Sequence, residues 1–337
     1  MQKMGQGDTV LVLGATGGIG GAMVEALLAR GVSLRALHRQ AARQAQRDAR
    51  IDWRQGDAMV AGDVLSAAEG VQVIIHAVNP PGYRDWNRLV LPMLDNTIAA
   101  ARAAGATVLL PGNIYNFGPD VFPLIRDGAA QNPQTEKGRI RVEMEERLKQ
   151  AAEIGLRSIV LRAGDFFGPG AGNSWFGQAV VKACQPVRAI TQPGRDGMGH
   201  QWAYLPDVAA AMLALLDRRD ELAGFEAAQF GGHWDEDGTA IVQAIRRVVG
   251  RPDLPVRRFP WWLLPLAAPF SQTMRELWEM RYLWRQTIRM DNARLVSLIG
   301  TEPHTPLDAA VRASLVSLDC LKEPAAVVPV GRQIAAQ

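Results

Sequence analysis

The sequence predicts an α/β chain: a doubly wound parallel sheet over residues 8–170, followed by a smaller, mostly helical lobe. Three observations carry that expectation. Short apolar or β-branched runs alternate with helical stretches through the first 165 residues, as right-handed βαβ crossovers require. The helical stretches stop at glycines, which adopt the left-handed conformation of a helix end most easily. Beyond residue 170 the alternation loosens, and glycines and prolines cluster at 168–172 and 193–199.

Thr9–Leu13 is the first strand, and Gly21–Arg30 the first helix, stopped by Gly31. Val32–Leu37, Ile51–Gln55 and Val71–Ala77 supply the second, third and fourth strands. Each is short, apolar or β-branched, and bounded by a glycine, a proline or a charge. Leu89–Ala104 reads as a helix ending at Gly105, and Ala106–Leu110 as the fifth strand. Glu136–Glu153 is a helix ending before Gly155, and Ser158–Arg162 the sixth strand. The helix Pro206–Asp217 is expected to pack back onto this domain. Residues 171–205 and 218–320 then form the second lobe, helical from Asp235 onward, with Trp261, Trp262, Trp278 and Trp284. The stretch Trp261–Phe270 reads as lobe core, pocket lining or interface, and residues 321–337 as a mobile tail without periodicity.

At 337 residues the chain has room for about two folding units. Its 48% hydrophobic and 21% charged residues exclude a disordered, collagen-like or coiled-coil chain. The longest apolar run, Trp261–Phe270, is half the length of a bilayer-spanning helix, about 20 residues. No apolar signal core opens the sequence, so the expected location is the cytoplasm and no membrane partner is expected. Net charge is +3, and no basic stripe gathers the cations, so no nucleic-acid partner is expected either. Cys184 and Cys320 stand apart, with no CxxC and no neighbouring histidine, so no metal site is expected. The expected partner is a small-molecule substrate, with a homodimer compatible with the composition.

Chemistry enters at Gly14-Ala15-Thr16-Gly17-Gly18-Ile19-Gly20, between the first strand and the first helix. In that context a glycine triplet reads as a dinucleotide-binding, Rossmann-type turn. Gly14 suits the tight turn, Gly17 the approach of a pyrophosphate, and Gly20 the close packing of helix on strand. Gly18 and Ile19 open the helix, whose free N–H groups and partial positive charge favour phosphate.

The spacing G-x-x-G-x-x-G resembles that of the extended and atypical short-chain dehydrogenase/reductases. Further motifs follow in that superfamily's order. Gly56-Asp57, with Ala58, is similar to its adenine-contacting stretch. Ile75-His76-Ala77, with Val78, is similar to the strand end that lines its ribose. Leu161 to Gly170, including Phe166, is similar to its R-x-x-x-x-x-G-P-G, and Tyr204 to Ala209 to its V-x-D-V-A helix start. The resemblance spans residues 8–315 and implies a nicotinamide dinucleotide cofactor.

The end of the second strand bears on which dinucleotide. A carboxylate there would hold the ribose hydroxyls of NAD(H) and repel a 2′-phosphate. The chain instead reads Leu37-His38-Arg39-Gln40, with Arg43 one turn on. A guanidinium pairs well with phosphate, so NADP(H) is the expected cofactor and NAD(H) the alternative. A solvated surface arginine is the bland reading, in a chain with 32 of them.

The superfamily's usual Ser/Thr and Tyr-x-x-x-Lys are missing. Pro111, Gly112 and Asn113 occupy the serine's region, and Tyr115 matches a tyrosine that is not the usual catalytic one. On the next helix Lys137 and Arg141 fall where Tyr and Lys are expected, with Glu145 a further turn along. These three share one helical face. A helix lysine resembles that of the isoflavone, pinoresinol-lariciresinol and phenylcoumaran benzylic ether reductases, and implies Lys137 as acid/base. Arginine cannot shuttle a proton, whereas a lysine desolvated beside a like charge can. Arg141 is then expected to hold ribose or nicotinamide oxygens, oriented by Glu145. Tyr115 and Asn113 are secondary candidates as donors to substrate. The bland alternative is a solvated helix face of ion pairs.

On the substrate side, Tyr83 and Trp86 are expected to form a wall, and Asn173–Phe176 and His200–Trp202 to close over it. The expected activity is NADPH-dependent reduction of a small carbonyl, enone or benzylic compound. A nucleotide-sugar epimerase or dehydratase is the enzymatic alternative. A non-catalytic NADP(H)-binding regulator is the third reading, favoured by the missing Ser-Tyr-Lys set.

Overall fold

A computed structural model describes residues 3–5, 7–80, 85–172, 174–268 and 272–322. Its frame is a seven-stranded sheet made of β1 (Thr9–Leu13), β2 (Ser33–His38), β3 (Asp52–Gln55), β4 (Val73–His76), β5 (Thr107–Asn113), β6 (Ser158–Ala163) and β7 (Phe225–Gln229). The spatial order is β3-β2-β1-β4-β5-β6-β7, and every neighbouring pair is parallel. The order reverses between β1 and β4. That switch point opens a crevice at the carboxyl edge of the sheet, where ligands bind in such folds.

Six helices cover the sheet: α1 (Gly18–Leu28), α2 (Ala41–Arg47), α3 (Ala61–Ala67), α4 (Trp86–Ala104), α5 (Glu136–Glu153) and α6 (Leu205–Leu216). Alternation along the strands decides which face each residue meets. Val10, Val12, Val73 and Ile75 pack with Met23 and Leu27 of α1 and Met212 and Leu216 of α6. Leu11, Leu13, Ile74 and Val108 pack on the other side with Leu94 of α4 and Leu148 of α5. Each such side chain contributes about 1.5–3 kcal/mol on burial. Helix α6 packs on the sheet through these residues.

Two features of the second lobe differ from the sequence reading. First, β7 comes from the 218–320 stretch yet completes the main sheet, and Leu295 of the helix Ala293–Ile299 enters the α1/α6 core. Second, the helical lobe also carries short strands that the sequence did not announce. Asp165–Phe167, His200–Tyr204 and His233–Asp235 form a three-stranded sheet. Ile190–Gln192 pairs with Val256–Arg258, and Leu124–Ile125 with Arg289–Met290. Several of these strands have only two or three residues, too few to show an alternating pattern. The lobe core gathers Phe167, Phe176, Trp202, Ile245, Leu283 and Trp284.

The Trp261–Leu266 stretch divides. Leu264 is buried and Trp261 packs on the lobe core, while Trp262 and Leu266 are 70% and 66% exposed. Tyr83, Asn173, Phe270 and the proposed tail from residue 323 lie outside the described residues. Among the described residues no helix is long and apolar enough to cross a membrane.

Candidate functional site

The glycine loop sits at the switch point. Gly14 has φ +90°, and a Cβ on it would lie 2.5 Å from the Ala77 carbonyl oxygen. The turns after β1 and β4 are thus in backbone contact, joined also by the Ala77 N–H donating to the Leu13 carbonyl at 2.9 Å. A Cβ on Gly20 would collide with the Gly14 carbonyl, so glycine there lets α1 press onto the turn. Gly17 differs. Its φ is −86°, and no protein atom would come nearer than 3.3 Å to an added Cβ. No left-handed strain asks for glycine at this exposed position, and the approach to the Gly14 carbonyl oxygen is tight without being a collision; a pyrophosphate resting on the backbone would ask for glycine more strictly. No side chain caps α1 and no acid stands in its first turn. Its N–H groups, with exposed Thr16 and with Gly18 and Ile19 beside them, are open to an anion. These features fit a dinucleotide.

Along the same edge, β2 ends at His38, half-buried and edge-on to Trp53. Its Nδ1 accepts the Gln40 N–H at 2.9 Å, and burial, followed by the Arg39 charge, lowers its pKa. Arg39 is exposed, and its guanidinium makes no hydrogen bond or ion pair among the described residues. Its backbone is fixed by Gln55 Nε2, which donates to its carbonyl at 2.7 Å. Asp57 is held in a tight loop: its N–H donates to Asp63 at 2.8 Å and its Oδ1 accepts from Met59 N at 2.9 Å. Asn96 binds the Ala58 carbonyl at 2.9 Å. Ala77, Val78 and Phe166 complete the edge, each half-buried.

Helix α5 brings the reactive candidates to the end of β5. Thr135 caps it by accepting the Gly138 N–H at 3.0 Å. A Cβ on Gly138 would collide with the Tyr115 carbonyl oxygen, so the first turn of α5 lies directly on the Tyr115 turn. Lys137 is 5% exposed, with Nζ 5.8 Å from the Trp86 ring centroid. The Arg141 guanidinium lies 5.1 Å from the same centroid and donates to the Pro111 carbonyl at 3.3 Å. Asn113 closes β5, and its Oδ1 accepts the Tyr115 N–H at 2.9 Å, leaving its amide N–H groups as the donor end. Lys137, Arg141, Asn113 and Tyr115 therefore converge. Trp86 is buried beneath the two cations, so it is a platform rather than the expected wall of the substrate pocket.

Glu145 does not orient Arg141. Its carboxylate accepts Arg162 Nε at 2.9 Å and Nη2 at 2.6 Å, Asn116 Nδ2 at 2.9 Å and Gln131 Nε2 at 2.8 Å. Both members of this pair are nearly inaccessible, at 8% and 7% for the side chains of Arg162 and Glu145. The i, i+4 spacing permitted an Arg141 contact, but the bidentate fork on β6 takes the carboxylate.

Two histidines that the sequence offered only as members of longer stretches have partners of their own here. His76 is buried at the end of β4, and its Nδ1 lies 2.8 Å from Thr97 Oγ1. The Thr97 hydroxyl donates to the Met93 carbonyl at 3.0 Å, so it accepts the Nδ1–H, and Nε2 is a buried acceptor without a hydrogen bond. Burial, and then the Arg141 charge, bring the His76 pKa down to about 3. His200 Nε2 lies 2.9 Å from Asp165 Oδ2, just past β6, and its ring stacks on Trp284 at 3.8 Å. Asp165 stood inside a quoted motif, but nothing in its spacing pointed to His200, 35 residues on.

A family of NAD(P)H-binding domains matches residues 14–138. A curated protein of Streptomyces sp., 3-diazoavenalumate denitrifying reductase, is 33% identical over 282 residues, covering 76% of this chain and 86% of that one. The solved UDP-glucuronic acid 4-epimerase from Bacillus cereus, in complex with NAD, superposes with TM-score 0.72 at 15% identity, over 94% of this chain and all of that one (100%). MoeE5, solved with UDP-glucose and NAD, gives TM-score 0.70 at 17% identity over 92% of this chain and 98% of that one.

Proposed function

Because the chain belongs to the NAD(P)-binding epimerase/dehydratase superfamily, the extended short-chain dehydrogenase/reductases, we propose that it is an NADPH-dependent reductase of a small electrophilic carbonyl, enone or benzylic compound. The observation that carries the reading is Lys137, 5% exposed at the Tyr115 turn, in the place of the usual tyrosine. The glycine loop and the amides of α1 hold the pyrophosphate, and exposed Arg39 takes the 2′-phosphate. When bound, the reduced nicotinamide supplies a hydride. Lys137 hands a proton to the substrate oxygen, Arg141 keeps a second positive charge on the Trp86 platform, and Asn113 and Tyr115 donate hydrogen bonds that orient the substrate.

A buried lysine beside an arginine suits donation to a developing alkoxide or enolate. It suits nucleotide-sugar epimerisation less well, since that chemistry begins by removing a proton from a hydroxyl. The test is NADPH oxidation across carbonyls, enones and quinones, with Lys137→Ala alongside. Turnover is expected to fall by about 10²–10⁴, the usual worth of general acid–base catalysis, while NADPH binding changes little. Full activity in Lys137→Ala would overturn the role of Lys137. Binding of NADPH without turnover on any substrate would favour the regulatory reading, and tight binding of UDP-sugars the epimerase.

The Streptomyces relative favours a second reading. Its name describes a reductase that removes nitrogen from a diazo carboxylate. In the arenediazonium form of such a substrate the C–N bond breaks, N₂ leaves with the bonding pair, and a hydride neutralises the cation by forming the new C–H bond. No proton is asked of the protein. Lys137 would then act as a fixed charge, and Lys137→Arg would keep activity that Lys137→Ala loses. Under the acid mechanism both substitutions are damaging, so the pair separates the two readings.

A further inference from the structure

The second lobe holds an open cleft that no step above uses. Its apolar walls are Phe259, Trp261 and Trp284, and Arg195, Arg258 and Arg285 stand around it. Trp175 backs the walls, 5.6 Å from Phe259, 5.6 Å from Trp261 and 5.2 Å from Trp284 between ring centroids. The walls are fixed. Trp261 Nε1 donates to the Pro193 carbonyl at 2.8 Å, and Trp284 stacks on His200, itself held by Asp165.

The charge around the cleft is one-sided. No carboxylate lines it, and Asp196 pairs with Arg258 from outside. Arg195 and Arg285 are exposed, and their guanidinia make no ion pair or hydrogen bond among the described residues. Flat apolar walls with fork-shaped cations at the mouth match an aromatic ring bearing an anionic group.

The cleft is also tied to the reactive corner by a short ruler. Glu279 accepts the Glu136 N–H at 3.0 Å, next to Lys137. From Glu279 the chain runs through the 3₁₀ turn Met280–Trp284 to Arg285. At about 2 Å per residue, those six steps span on the order of 12 Å.

Resting on the reductase reading, we infer that this cleft anchors the substrate, and that the substrate is an aromatic carboxylate whose acid group binds Arg195 and Arg285. Because the backbone from Glu279, beside Lys137, to Arg285 spans on the order of 12 Å, the substrate's reducible carbon lies well separated from its carboxylate. An extended conjugated aryl acid has that length, and a short keto acid does not. A phosphate group would satisfy the same arginines, so the test must separate the two sources of negative charge.

The wild-type protein is titrated without cofactor, following tryptophan fluorescence and calorimetry. The probes are 4-hydroxycinnamate, its methyl ester, and UDP. The acid is expected to bind and quench Trp261 and Trp284, and the ester to bind at least tenfold more weakly. Arg195→Met and Arg285→Met, both at exposed positions, should each weaken the acid about tenfold, the worth of one charge-assisted hydrogen bond. Lys137→Ala should leave that binding unchanged. Equal binding of acid and ester, an unchanged affinity in both arginine variants, or binding of UDP in preference to the acid would overturn the inference. NADPH oxidation on a neutral panel, without aryl acid binding, would sink the cleft assignment alone. Aryl acid binding without any NADPH oxidation would uphold the cleft and sink the reductase reading.

Discussion

Removing the Glu145 carboxylate tests how the site is braced. Four hydrogen bonds converge on it, two from Arg162 and one each from Asn116 and Gln131, at 2.6–2.9 Å. In Glu145→Ala the Arg162 guanidinium stays behind, 8% exposed at its side chain, without its counter-charge. Breaking a buried pair from one side typically costs about 3–5 kcal/mol, most of it the stranded charge. The two amides lose an acceptor as well, which places this variant toward the upper part of that range. Urea unfolding at pH 7, followed by circular dichroism, reads the loss directly. Replacing both partners by methionine should recover most of it, because no buried charge is then left over. If Glu145→Ala stays within about 1 kcal/mol of wild type, the pair is not the brace described. If instead Glu145 couples to Arg141 in a double-mutant cycle and not to Arg162, the carboxylate belongs to the cofactor corner after all.

Three further outcomes are expected. Arg39→Ala should weaken NADPH binding and leave NADH nearly unchanged by fluorescence titration, and equal weakening of both would remove Arg39 as the discriminator. Gly17→Val should abolish dinucleotide binding while the circular dichroism spectrum stays native, since the one tight approach of the added Cβ is to the Gly14 carbonyl oxygen at 3.3 Å, which a shift of a few tenths of an ångström relieves; retained affinity would place the nucleotide elsewhere. His76 carries a pH dependence. Its folded pKa of about 3 lies below the ordinary value of 6.5, so the unfolded chain takes up a proton that the folded one refuses. The stability it supplies is complete above pH 6.5 and is lost as pH falls toward 3, at about 1.4 kcal/mol per pH unit. Unfolding free energies at pH 7 and pH 5 should therefore differ by about 2 kcal/mol less in His76→Gln than in wild type, and an equal drop in both would refute the assignment.

What the sequence disclosed follows from what each signal depends on. Strands β1 to β6 and helix α5 were legible because apolar runs and terminal glycines are local marks. The glycine loop was legible because each glycine answers to a contact of its own turn: Gly14 to the Ala77 backbone and Gly20 to Gly14. Helices α2 and α3, seven residues each, were too short to show a period. Strand β7 was missed because it joins the sheet beside β6 after a connection of more than 60 residues. The Glu145–Arg162 pair was hidden for a different reason. Spacing on a helix names the residues that share a face, but the choice between partners one turn away and partners on a neighbouring strand is made by tertiary packing. Asp165 and His200 are joined only by strand pairing, which places Asp165 beside Trp202.

The missing serine and the buried Glu145–Arg162 pair are one structural feature. Gly112 lies on β5 between Pro111 and Asn113, in the region of the usual serine. A Cβ there would approach Arg162 Cγ to 2.9 Å and Val160 Cγ1 to 3.1 Å. Arg162 cannot yield, because both its donors are fastened to Glu145. Restoring a serine at 112 would therefore disturb the brace before it supplied a hydroxyl. Glu145 leaves α5 two turns after Lys137, so the same helix that presents the buried lysine is pinned to β6 by this pair. On the function proposed above, this pair is a rigid mount near the place of the usual hydroxyl, and Lys137 sits on the helix that the mount holds. On that function, a substrate that takes a proton from one buried lysine suits such a corner better than a sugar hydroxyl waiting for a tyrosinate.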